Sequence, residues 1–179
     1  MRTFKEIKQD YRFTPEDERR LASLKGFMEE HTEEIMSTLS LWFKGTKGAA
    51  RFFTEETLHR HVFATQKQWF SELFSGSYDN RFYDGLIRIG SAHVRRNVDV
   101  HFIHRAANII KNSCFGILSK TDESREEITS NIIVVGKIVD ISVNVITTSY
   151  IEEEMRIYSP VYKVKSALIS FSERFAQFP

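Results

Sequence analysis

One cysteine, Cys114, in 179 residues excludes an internal disulfide framework and a cysteine-built metal centre. It reads as a small core hydrophobe. Neither sign of charge is in excess, with 25 Lys+Arg against 24 Asp+Glu, so the electrostatic footprint of a nucleic-acid or anionic-membrane partner is missing. No run approaches the roughly 20 apolar residues of a membrane span, and Met1-Arg-Thr-Phe-Lys-Glu lacks the apolar core of a signal peptide. The expectation is a soluble, cytoplasmic chain without membrane insertion. No glycine-rich phosphate loop, Gly-x-Ser-x-Gly elbow or His-Glu-x-x-His motif occurs, which leaves catalysis by side chains alone with little support. Internal repeats and low-complexity tracts are absent too.

Against three prolines and eight glycines stand fifteen Phe, six Tyr and two Trp. That many rings in a chain this poor in helix breakers fit either a dense helical core or a pocket for a flat ligand. The length suits one domain with a continuous core. Residues 1 to 13 show no clear period. Thr14-Pro15-Glu16-Asp17-Glu18 then reads as a cap, a first-turn proline and acids at a helix start. The helix it opens carries Leu21, Leu24, Met28, His31, Ile35, Leu39 and Trp42 on one face up to Gly45 and Gly48, with His31 as a hydrogen-bonded core histidine. Thr54 to Thr57 caps a second helix with Leu58, Val62, Thr65, Gln66, Trp69 and Leu73 on one stripe. Thr65 and Gln66 there either bond locally or face a site. Ser75 to Asn80 is a turn cluster.

From Val100 the stripe Ile103, Ala106, Ala107, Ile110, Cys114, Ile117 and Leu118 gives a third long helix, closed by Ser119-Lys120-Thr121-Asp122. Ile132 to Ile146 is rich in β-branched residues, which favours strand. Asp122 to about Tyr158 holds one glycine and no proline, however, and Ile128, Ile132, Val135, Val139, Ser142, Ile146 and Tyr150 keep helical spacing, so a long helix is expected. Ser159-Pro160 is expected to break it, with a short helix over Val161 to Phe178. Glu152-Glu153-Glu154 reads as a solvated face.

The informative stretch runs from Asp84 to His101. Phe82, Leu86 and Ile89 step by four and three toward His93, which puts an imidazole on an apolar stripe. It is either a core histidine satisfied by a carbonyl or an iron ligand, since a neutral imidazole in apolar surroundings is what a haem takes on its proximal side. His59-Arg60-His61 is a poor metal pair because residues two apart point to different sides of a helix. Arg95-Arg96 would cap a helix C-terminus or meet propionates, and position favours the cap.

Two segments carry a specific likeness. Ile89-Gly90-Ser91-Ala92-His93-Val94-Arg95-Arg96-Asn97-Val98 resembles the signature of the globin-coupled sensors, and Gln68-Trp69-Phe70-Ser71-Glu72-Leu73-Phe74-Ser75-Gly76-Ser77-Tyr78-Asp79 resembles that family's join between distal and proximal helices. The likeness extends from about Thr14 to Tyr158. It implies an all-α, globin-like fold without a D helix, haem b bound through His93, and a homodimer made by a four-helix bundle of the last two long helices. Residues 1–158 would form the sensor globin domain, with 1–13 as an N-terminal extension and 159–179 as a connector helix toward an output domain. The haem wall implied by the resemblance comprises Ser40, Phe43, Leu58, Val62, Thr65, Gln66, Trp69, Ile89, Val98 and Ile103.

The family's Phe-Tyr pair on the second helix is replaced here by Leu39-Ser40, and its Pro-x-Trp-Tyr after the histidine by Val100-His101-Phe102-Ile103. With the tyrosine donor missing, three distal arrangements remain open: donation to oxygen from Thr65 or Gln66, a preference for CO or NO, or a side chain such as His61 at the sixth position. The resemblance implies a sensor of O2, CO, NO or redox state rather than an enzyme. A haemless signalling scaffold and a haem enzyme of peroxidase or NO dioxygenase type are the alternatives.

Overall fold

The computed structural model describes residues 2–49 and 56–175, the backbone alone for 56–61 and 161–175. All regular structure among them is helical: α1 (Phe4–Asp10), α2 (Pro15–Ser23), α3 (Lys25–Glu30), α4 (Thr32–Gly45), α5 (Glu56–Glu72), α6 (Asn80–Arg95), α7 (Val100–Leu118) and α8 (Arg125–Phe175). The expected caps of α5 and the absence of a D helix fall on residues that include 50–55, outside the described ones.

Four departures from the sequence reading have local causes. The first thirteen residues are not irregular. Thr3 and Glu6 form a reciprocal capping box that starts α1, and Phe4 and Ile7 are buried, a pattern too short to show a period. The single helix expected from Pro15 is three, interrupted at Leu24 and His31. At the second break the His31 ring donates from Nδ1 to the Phe27 carbonyl at 2.9 Å, and the Thr32 hydroxyl to that of Met28 at 3.2 Å. These side chains take up carbonyls that the helical ladder would otherwise use. Pro160 does not end α8, which runs on to Phe175. Proline removes one backbone donor, and the carbonyl freed four residues back belongs to Arg156. Both residues are exposed, so water can take that carbonyl. Finally, Glu153 is buried among the glutamates that read as a solvated face.

The β-branched run of α8 is the central rod of the core, burying Val134, Val135, Ile138, Val139, Ile141, Val145 and Ile146. By length and mean hydropathy Arg125–Pro160 could cross a bilayer, which the sequence did not suggest. Half of its most apolar window is buried in the fold, as in a core helix. Lys137 reaches Asp17 of α2 at 3.0 Å and Lys111 of α7 reaches Asp140 at 2.7 Å, tying neighbours to its flanks. The most extensive contact of α8 is with α6, and α7 follows. Between α5 and α6 the turn uses Gly76 at φ 72°, where a Cβ would also meet that of Ala22 at 2.7 Å.

Candidate functional site

Asp79 starts α6 by accepting from the amides of Arg81 at 2.9 Å and Phe82 at 3.1 Å, which fixes the register of the helix carrying His93. Phe82, Leu86, Gly90 and Val94 form its fully buried stripe. His93 lies beside that stripe rather than at its end, on a second face with Ile89, Ala92 and Arg96 that lines a cavity of about 390 Å³. Leu39 and Phe43 of α4, Val62 to Glu72 of α5 and Phe102 to Ile110 of α7 close the other walls, with Val143 and Ile146 of α8 behind.

The imidazole is held twice. Its Nδ1 lies 2.8 Å from the Ile89 carbonyl, and since a carbonyl only accepts, Nδ1 carries the proton and Nε2 the lone pair. The backbone carbonyl of His93 accepts from Val98 N at 2.9 Å, while Asn97 N donates to Val94 O, also at 2.9 Å, with Asn97 at φ 51°. This is a Schellman motif with a left-handed asparagine, and it ends α6 within one turn of His93. Burial lowers the His93 pKa, and the Arg96 guanidinium pushes it the same way against the Ile89 hydrogen bond. The ring is therefore neutral near pH 7, the form that coordinates a metal. Among the described residues no three His, Cys, Asp or Glu side chains converge on a metal position, so one imidazole cannot hold an ion by protein ligands alone.

Of the residues expected on the wall, Phe43, Val62, Thr65, Gln66, Trp69, Ile89, Val98 and Ile103 line this one cavity with His93. Ser40 does not. It is buried on α4, but Leu39, one residue or about 100° around the helix, takes the cavity-facing place. The side chains of Leu58 and His61 lie outside the described residues. The Thr65 hydroxyl donates to the Val62 carbonyl at 2.9 Å, the local bond that competed with a functional reading. Two groups stand differently: Gln66 Oε1 and Trp69 Nε1 are buried and meet no hydrogen-bond partner. Both arginines stand at the C-terminus of α6, as position suggested: Arg95 in its last turn, with its Nε bonding Glu153 at 3.1 Å, and Arg96 at the cap. Arg156 and Arg95 hold the Glu153 carboxyl down to about 2. His101 is exposed, as the sequence suggested.

On the cavity rim, sequence reasoning weighed Arg96 for propionates as the alternative to a cap and missed Arg88. Arg88 and Arg96 both line the rim, facing Gln68 and Glu72 of α5. The signal was available, because 85, 88, 89, 92, 93 and 96 form one helical face. The set fits a haem: a neutral imidazole nitrogen, apolar walls, two rim guanidiniums suited to carboxylate tails, and buried polar atoms still lacking a partner.

A helical fold that offers one imidazole into an apolar cavity between its fifth and sixth helices is that of a globin. The family model described as Protoglobin matches residues 1–156, and the chain belongs to that family. The globin domain of the Geobacter sulfurreducens globin-coupled sensor superposes with a TM-score of 0.79 at 34% identity, covering 84% of this chain and 99% of that one. The globin domain of Escherichia coli DosC matches in its ferrous form with a TM-score of 0.69, 15% identity and coverage of 80% and 99%; its ferric form matches with the same TM-score, a likeness of fold. Nothing among curated proteins matches.

Proposed function

We propose that this globin domain binds haem b through His93, responds to a diatomic gas (O2, CO or NO) or to the redox state of the iron, and passes the response along α8 to an output domain. The observation that carries this reading is the orientation of His93, whose Nδ1 is committed to Ile89 and whose neutral Nε2 is left for a ligand bond. When bound, haem supplies an iron that takes up gases or changes oxidation state. The chain's part is to orient the imidazole, exclude water with Leu39, Phe43, Ile103 and Ile110, and hold the carboxylate tails at Arg88 and Arg96. On the distal wall the hydroxyl proton of Thr65 is used within α5 and Ser40 lies off the cavity. Gln66 and Trp69 are accordingly the groups that contact a bound gas or its surroundings.

Neither Gln66 nor Trp69 titrates near neutrality, which suits binding better than peroxidatic proton transfer and supports a sensor over an enzyme. Ile151, Met155 and Tyr158 of α8 are exposed, and they support a homodimer through the last two long helices. A cytoplasmic setting belongs to the same reading. Absorption spectra of ferric, ferrous and carbonyl forms test it, with His93→Ala alongside. The wild type is expected to show haem bands that the variant loses. A wild type that takes up no haem, or a variant with an unchanged spectrum, refutes the assignment. Turnover with peroxide no faster than that of free haem is expected of a sensor.

A further inference from the structure

We infer that Ser149 of α8 is a positioning residue for His93, and that its clamp on α6 transmits displacement of the His93 helix into α8. The inference rests on the reading of His93 as the haem ligand. Ser149 is 2% exposed, and its hydroxyl donates to the Ile87 carbonyl of α6 at 2.8 Å. A buried helical serine has a partner closer to hand in its own helix. Ser142, two turns earlier, takes that course and donates to Ile138 O at 2.8 Å. Ser149 instead crosses to the neighbouring helix, where its Oγ also lies 3.4 Å from that of Ser91.

Gly90 lies between these contacts. Its backbone comes so close to α8 that a Cβ would stand 2.9 Å from Ser149 Cβ and 3.0 Å from Tyr150 N, and nearer still to the Ile146 carbonyl oxygen. Ile89, next to it, supplies the carbonyl that orients the His93 ring. Beyond His93, Arg95 bonds Glu153 of α8 at 3.1 Å, and Arg156 braces Glu153 at 2.8 Å. His93 is thus bracketed by fastenings at Ile87 and Arg95, both to one turn of α8. A shift of the imidazole along or across α6 must break Ser149–Ile87 or carry Ser149 with it. Packed backbones of this kind move as units rather than bend.

The test uses the haem-loaded protein, with carbon monoxide as the probe. Three quantities are read: the iron–histidine stretching band of the ferrous form by resonance Raman, carbon monoxide affinity, and amide hydrogen exchange of residues 145–153 with and without the gas. Ser149→Ala is expected to shift the band, change affinity by about fivefold or more, and shrink the gas-dependent exchange difference in α8. Ser142→Ala removes an equally buried hydroxyl from the same helix and is expected to leave all three unchanged. Agreement of Ser149→Ala with wild type, or an equal effect from Ser142→Ala, overturns the inference while leaving haem binding intact. Failure of the wild type to take up haem overturns the reading of His93 and this inference with it. Should Ser149→Ala not fold, Arg95→Met at an exposed position cuts the second fastening. It is expected to shift the same band, and an unmoved band counts against the clamp.

Discussion

Replacing Gly90 by alanine sets two effects of opposite sign against each other. In a helix interior alanine is favoured over glycine by about 1 kcal/mol. The added Cβ would lie 2.9 Å from Ser149 Cβ and 3.0 Å from Tyr150 N, where carbon atoms settle at about 3.5–4.0 Å. The helices α6 and α8 must therefore separate by roughly 1 Å, because the nearest obstacles include backbone atoms that no rotamer change removes. Overpacking costs about 1–3 kcal/mol and this site belongs at the upper end. Stretching the Ser149–Ile87 hydrogen bond adds about 1 kcal/mol. The net loss is about 2–3 kcal/mol, which lowers the melting temperature by roughly 5–10 °C for a chain of this size. Calorimetry or circular-dichroism melting measures it. Gly116→Ala on α7 is the internal control, since a Cβ there meets nothing within 4 Å and only the propensity gain remains. A Gly90→Ala protein that melts at or above wild type refutes the close-packing argument.

Trp69→Phe is expected to act with opposite signs in two states. The haem-free chain sheds a buried unpaired donor, which costs about 1–3 kcal/mol, and so melts no lower than wild type. Gas dissociation from the loaded protein, followed by stopped flow, speeds up by about three- to tenfold if Trp69 contacts the bound gas or its surroundings. Acidification acts through His93. Its folded pKa is depressed by burial, so its contribution to stability is complete above the unfolded value of about 6.5 and is lost as pH falls toward and through the lower folded value. Denaturant stability of the haem-free chain should fall over that acidic range, and this component should be missing in His93→Ala. Burial pushes the Cys114 thiol up to about 12. A thiol reagent near neutral pH should modify it only after denaturant unfolds the chain.

The long helices were legible because each repeats its apolar period over several turns. Even the β-branched α8 followed from the lack of breakers between Asp122 and Tyr158. Features set by one hydrogen bond were not. The break at His31 depends on a ring reaching the Phe27 carbonyl, which no apolar pattern encodes, and α8 passes Pro160 where both Pro160 and Arg156 are exposed, which a local helix-breaker rule does not take into account. In the site, spacing tied His93 to Ile89 on one face, but it ran that face into the Phe82–Leu86 stripe, which continues instead through Gly90 and Val94 into the core. The choice between Leu39 and Ser40 was not legible in spacing, since one residue rotates a side chain by about 100° and the approach angle of α4 is fixed by tertiary contacts. Thr65 and Gln66 looked equivalent as donors in sequence. The Val62 carbonyl, reached only by the shorter side chain, separates them.

The continuity of α8 gives the Gly90–Ser149 contact a mechanical reach. From Ser149 to Phe175 is 26 residues of unbroken helix, about 39 Å at 1.5 Å per residue. As a rigid arm pivoting at Ser149, it would convert a tilt of about 3° into roughly 2 Å of travel at its far end. A shift at the imidazole too small to see in the pocket becomes, at the end of that arm, a displacement the size of an atom.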